Sequence, residues 1–262
     1  MSLDTILKQR GLMPLKEYDK LMSNQSFIST GYKEIDEIIC PEGNGGPGGF
    51  PRGSLSEICG MSRCGKSRFM RDICMRPEVK ALYIDTENAL SSKEYKFLKD
   101  HGVDVVAEQL LENIWGVVND AIDEELYDLI VVDSVGATDT QAERDDDNTL
   151  SMSTSVQRAK IMSKWLRGIG AHFMVHRRTA LVLVNHLKDA VGGFGHQMVK
   201  PCGKSIDFHC MVQLQCSGGD STIKKGTLKD FDVLCTKTRY NIVKQKCKVQ
   251  LDLNPYKIIK EE

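Results

Sequence analysis

Residues 59–68 read CGMSRCGKSR, and residues 60–67 within them fit the pattern G-x-x-x-x-G-K-[ST]. Gly60, Gly65, Lys66 and Ser67 hold the four fixed positions. Each residue type has a task there. Glycines let successive backbone N–H groups turn inward around phosphate oxygens. The lysine reaches the β- and γ-phosphates, and the serine hydroxyl ligates Mg²⁺. Four fixed positions occur by chance, so the setting decides. SLSEIC (54–59) leads in as a strand, and SRFMRDICM (67–75) leads out with helical spacing. The start of that helix turns its positive end to the same phosphates. Strand, loop and helix in this order imply a nucleotide site built from Gly60, Met61, Ser62, Arg63, Cys64, Gly65, Lys66, Ser67 and Arg68, with ATP and Mg²⁺ as the expected cofactors.

Working outward, short apolar runs alternate with helical stretches. The runs are ALYID (81–85), LIVVDS (129–134), TALVLVN (179–185) and MVQLQC (211–216). Continuous β-branched runs suit strands buried on both faces. TSVQRAKIMSKWLRGIGAHFMVH (154–176) has the spacing of a long helix. Strands alternating with helices predict an α/β fold around a mostly parallel sheet flanked by helices. The tail from 232 alternates and predicts antiparallel strands at the C-terminal edge of that sheet. CPEGNGGPGGFPRG (40–53) holds six glycines and three prolines and reads as a long turn before the first core strand. Residues 1–26 have roughly helical apolar spacing (Leu3, Ile6, Leu7, Leu15, Tyr18), either a helix on its own domain or an arm for a neighbouring subunit. The expected division is therefore an arm over 1–26 and an ATPase core over 27–262. Long irregular loops are expected near 140–153 and 187–204, and loops of that length in a compact domain are usually functional.

Composition sets outer bounds. The 262 residues are 41% hydrophobic and 27% charged, with a net charge of -1. A case for nucleic acid must then rest on local patches. Nine cysteines show no C-x-x-C spacing, several sit inside apolar runs, and the N-terminus has no apolar signal core. No apolar run approaches the length of a membrane span. The expectation is a reducing, intracellular location without membrane contact.

Three further elements complete the site expected from the P-loop. YDLIVVDS (127–134) puts Asp133 at the C-terminal end of a buried strand, where open α/β sheets bind ligands. Asp133 there supports Mg²⁺ through water, alongside Ser67. YIDTENAL (83–90) brings Asp85 and Glu87 to a strand end, Glu87 as the candidate base for a water and Asp85 as cap or brace. LVLVNH (181–186) ends in Asn185 and His186. His186 is a candidate to sense the γ-phosphate, its plain alternative being a satisfied loop histidine. Between 172 and 204 lie Arg177, Arg178, Lys188, Lys200 and Lys204 against the single acid Asp189. With mobile glycines and Phe194, this suits sequence-blind contact with a nucleic-acid backbone, the alternative being a solvated loop. ERDDD (143–147) is acidic and is expected to face solvent or a partner.

Together these elements, in this order, resemble the RecA recombinase family. FISTGYKEIDEII (27–39) and GGFPRGSLSEICGMSRCGKS (48–67) are similar to its entry segment. YDLIVVDSVGATDTQAE (127–143) resembles the strand leading into its first DNA-binding loop. LVLVNHLKDAVGGFGHQMVKPCGKSIDF (181–208) resembles its sensor strand and second loop, and VLCTKTRYN (233–241) the strand carrying cations to the neighbour's ATP. The resemblance covers about 27–258. It implies an ATP-dependent strand-exchange protein that forms helical filaments on single-stranded DNA and pairs it with duplex DNA. It implies Glu87 as catalytic base, catalytic parts for Lys66 and His186, Tyr95 near adenine, and Lys237 and Arg239 acting in trans on the adjacent protomer. A loading or single-strand-binding protein is the further partner implied, and the location implied is cytoplasmic. Several residues depart from the family pattern. Arg63 and Cys64 are unusual in the P-loop, His186 stands where the bacterial family has glutamine, and KPCGKS (200–205) has one glycine where a pair is common. The bacterial C-terminal domain is not expected, which would suit a virus or mobile element. The rival readings are a recombination mediator on the same fold, a ring helicase motor and a small-molecule phosphotransferase.

Overall fold

A computed structural model describes residues 2–10, 13–23, 25–41, 48–145, 152–189, 198–202, 204–218, 223–224, 227–241, 244–254 and 256. Two helices lead, α1 (Leu3–Gln9) and α2 (Leu15–Ser23). The Ser2 hydroxyl accepts from the Thr5 N–H and starts α1. Strand β1 (Phe27–Ile28) and helix α3 (Lys33–Ile39) follow, and β2 (Phe50–Pro51) pairs antiparallel with β1. Then come β3 (Ser54–Gly60), α4 (Lys66–Cys74), β4 (Ala81–Asp85), α5 (Ser92–Asp100), β5 (Asp104–Ala107), α6 (Leu111–Asp123) and β6 (Leu129–Asp133). A 3₁₀ turn, Val135–Ala137, precedes α7 (Gln141–Asp145) and α8 (Met152–Val175). The chain continues as β7 (Ala180–His186), β8 (Lys188–Asp189), β9 (Met198–Val199), α9 (Ser205–His209) and β10 (Val212–Ser217). It closes with β11 (Ile223–Lys224), β12 (Leu228–Thr238) and β13 (Gln245–Asp252).

Among the described residues one large sheet runs β11-β12-β10-β3-β7-β6-β4-β5, with β13 on the outer side of β12. The six strands from β10 to β5 are mutually parallel. β11, β12 and β13 are the antiparallel strands at the C-terminal edge. The α/β class expected from sequence is the one observed. Strand β6 explains why its run is unbroken. Leu129 and Val131 join the core under α3 and α4, while Ile130 and Val132 join the core under α6 and α8. A strand with a period of two that is buried on both faces has no solvent face to carry polar residues. On the second face Trp115 of α6 stacks on Trp165 of α8, with centroids 3.7 Å apart. The Trp165 indole N–H donates to Asn119 Oδ1 at 2.9 Å.

The register aligns the strand ends. Asp85 lies opposite Asp133, and Gly60 lies opposite both His186 and Cys216. All four apolar runs and SLSEIC became core strands. β5 was not expected, because DVVA is a half-exposed edge strand with no apolar run behind it. The expected 187–204 loop has a paired stem, in which Lys188 faces Val199 and Asp189 faces Met198. All nine thiols are free.

Candidate nucleotide site and its surroundings

The P-loop leaves β3 at Gly60 and enters α4 at Lys66. A Cβ on Gly60 would lie 2.3 Å from the Cys216 carbonyl oxygen, so the neighbouring strand admits only glycine. Gly65 has φ +116, and a Cβ there would meet Leu251 at 2.8 Å. Arg63 sits at φ 60, and its carbonyl accepts from the buried ammonium of Lys229 on β12. The Lys66 ammonium is drawn back into the loop, donating to the carbonyls of Gly60 at 3.0 Å and Met61 at 2.8 Å. A phosphate entering the loop competes with those two carbonyls for the same charge.

Beside the loop, Asp133 is buried and accepts from the hydroxyls of Tyr83 and Ser67. Burial raises its pKa, and the hydroxyls oppose that rise. Ser67 and Asp133 thus form a hard-oxygen pair of the kind Mg²⁺ takes, with the rest of its shell left to water and phosphate. They fit the ion. On the next strand end, Asp85 accepts from the N–H groups of Glu87 at 3.2 Å, Ala89 at 3.3 Å and Leu90 at 3.1 Å. Asp85 therefore braces the turn that presents Glu87.

Glu87 Oε1 accepts from Ser134 Oγ at 2.6 Å and lies 2.8 Å from His186 Nε2. A carboxylate only accepts, so the ring nitrogen is the donor. The His186 hydrogen bond, opposed by burial and aided by Ser134, holds the Glu87 carboxyl at about 2. Glu87 is thus a carboxylate at neutral pH, oriented from two sides. His186 and Glu87 meet directly, a contact that their distance in sequence hid.

The other expected site residues divide by place. Tyr95 sits exposed on α5, which is tied to the P-loop helix by the Arg71–Glu94 ion pair at 2.9 Å. Lys188, in β8, and Lys204, shortly after β9, are exposed. Lys200 instead turns inward to Glu57 of β3 and Asp207 of α9. Arg177 and Arg178 precede β7, so a strand of seven residues separates them from His186, about 20 Å at the usual rise. There Arg178 pairs with Asp128 and Arg177 donates to Gln25. The five cations grouped by sequence are therefore not one patch. Phe194 lies outside the described residues. Of the acidic run expected to face solvent or a partner, Asp145 is exposed, while Glu143 is half-buried and takes two bonds from Arg158 on α8, because a half-buried acid needs a partner. The rest of the acidic run, from 146, lies outside the described residues.

Lys237 lies opposite Gln213, which lies opposite Glu57, three residues before Gly60. Arg239 is exposed and lines a cavity with Ser54 and Leu55 at the start of β3. Arg239 thus sits toward the strand ends opposite the P-loop, and Lys237 level with the middle of β3. Sequence reasoning missed Lys229, Glu57 and Tyr83, three polar side chains buried by strands distant in sequence.

Comparison with known proteins points to one family. The family described as the RecA N-terminal domain matches residues 2–261. Protein RecA of Malacoplasma penetrans (strain HF-2) is 25% identical over 264 residues, covering 93% of this chain and 75% of that protein. Protein RecA of Latilactobacillus sakei subsp. sakei (strain 23K) is 29% identical over 234 residues, covering 87% and 62%. Protein RecA of Aquifex aeolicus (strain VF5) is 30% identical over 233 residues, covering 82% and 62%. The chain thus spans between three fifths and three quarters of the length of these relatives. The expectation of a viral or mobile-element source finds no support in them. Among the described residues no helix is long and apolar enough to cross a membrane.

Proposed function

Because the chain belongs to the RecA family, we propose that it is an ATP-hydrolysing recombination protein that assembles on single-stranded DNA and exchanges that strand with a homologous duplex. One observation carries the reading. Gly60–Ser67, Glu87, Asp133 and His186 converge at one end of the parallel strands, while Lys237 lies level with the middle of β3 and Arg239 near its start. The first group forms a nucleotide site. In this reading the second serves a neighbour's site, which makes hydrolysis depend on assembly.

Lys66 supplies positive charge to the phosphates once they displace the Gly60 and Met61 carbonyls. Ser67 and Asp133 would hold Mg²⁺, which neutralises charge developing on the transferred phosphoryl group. Glu87 accepts a proton from, or orients, the attacking water, and Ser134 and His186 fix its carboxylate for that task. Lys188 and Lys204 offer phosphate contacts beside the stem, with Phe194 as a base-stacking partner. Strand exchange without help from a second recombinase separates this reading from a mediator. A labelled single strand should displace its counterpart from a homologous duplex when protein, ATP and Mg²⁺ are present, and Lys66→Ala should not support this. Strand transfer that appears only with a second recombinase would move the assignment to a mediator.

A further inference from the structure

Strands β3, β10 and β12 place Glu57, Gln213 and Lys237 side by side on one face of the sheet. Helix α9 lies over that row. Glu57 is fully buried, and a buried carboxylate needs partners. It accepts from Asn185 Nδ2 at 2.9 Å, Gln213 Nε2 at 2.9 Å and Lys200 Nζ at 2.7 Å. Lys200 also bonds Asp207, which accepts from Gln213 Nε2 at 2.6 Å. Burial opposes the Lys200 charge, but Glu57 and Asp207 outweigh it and raise its pKa. Lys237 in turn donates to the carbonyls of Asp207 at 2.5 Å and Phe208 at 3.2 Å.

Lys200 directly follows β9, the second half of the paired stem. Two routes leave it. The first passes through Glu57 to Asn185, whose Oδ1 accepts the His186 N–H at 2.9 Å, and so to the His186–Glu87 contact. The second passes through Asp207 to Lys237. A displacement of the stem must break or drag both.

Resting on the recombination reading, we propose that Glu57, Lys200 and Asp207 form a latch that couples the paired β8–β9 stem to the nucleotide site and to Lys237. Lys200 is then a positioning residue for hydrolysis and not a phosphate contact. The test compares wild type, Asp207→Asn, Lys200→Arg and the double variant Glu57→Gln/Lys200→Met. The double variant removes both charges together, because Lys200→Met alone would leave Glu57 buried and unpaired. ATP turnover is measured without and with saturating single-stranded DNA, and DNA affinity is measured across salt. Coupling between sites is typically worth about 5–150-fold. Asp207→Asn and the double variant should lose roughly tenfold of the DNA-stimulated to basal ratio. Lys200→Arg should keep most of it, and the salt slope of DNA binding should stay unchanged throughout. A phosphate contact would instead lower that slope by about 0.7 in the double variant while leaving the ratio at saturating DNA intact, which overturns the latch. A merely structural role would lower the melting temperature and also leave the ratio intact, which overturns the latch as well. A wild-type protein indifferent to DNA would overturn the latch together with the recombination reading.

Discussion

In the proposed function, nucleotide binding turns on Lys66. A charge-assisted hydrogen bond contributes about 1.5–3 kcal/mol, so Lys66→Ala should weaken ATP binding by roughly ten- to a hundredfold. A labelled-nucleotide titration checks this, and unchanged affinity would remove the site assignment. Glu87 offers a pH test. Its carboxyl sits at about 2 in the fold against about 4.3 in an unfolded chain. The native state therefore binds fewer protons between these values. Its contribution to stability is whole above about 4.3 and is lost as pH falls through about 2. Glu87→Gln should flatten the melting temperature over that window relative to wild type, by a small amount because the side chain is 35% exposed and screened. Lys66, Ser67, Asp133 and Glu87 were legible in the sequence because each stands at a fixed spacing or a strand end. Glu57 and Lys229 were not. In SLSEIC a period of two puts Glu57 on the face of Leu55 and Cys59 but says nothing of its partners, and only Gln213, Asn185 and Lys200 arriving from elsewhere make it a satisfied buried acceptor.

At the scale of elements, the second core depends on how α6 meets α8. Trp165 is nearly buried between them and stacks flat on Trp115. Trp165→Ala removes the stack and the bond to Asn119, and should destabilise by about 3–5 kcal/mol. Denaturant unfolding measures this, and a loss near zero would mean the helices repack freely. Strands β4, β6 and β7 could be read from their apolar runs because burial on both faces leaves a continuous signal. β5 and the β8–β9 stem could not. Two- and four-residue strands carry little periodicity, and their pairing is decided by neighbours. The grouping of cations failed at the same scale for a related reason. Proximity in sequence joined Arg177 and Arg178 to Lys188 and Lys204, while β7 holds them at opposite ends of the sheet.

For the whole molecule, the separation of Lys237 and Arg239 from the protomer's own P-loop matters most. Lys237 lies level with Glu57 and Arg239 lies beyond it, away from the protomer's own P-loop. An ATP site that needs them is complete only between protomers. The decisive measurement is ATP turnover per protomer across protein concentration, with and without single-stranded DNA. It is made for wild type and for Lys66→Ala mixed with Arg239→Ala. Shared sites predict a rate that rises cooperatively with protein and DNA. They also predict a mixture more active than either variant alone, since Lys66→Ala protomers lend Arg239 to intact P-loops. A rate per protomer that is flat in protein concentration and indifferent to DNA, with a mixture as inactive as its parts, would contradict shared sites.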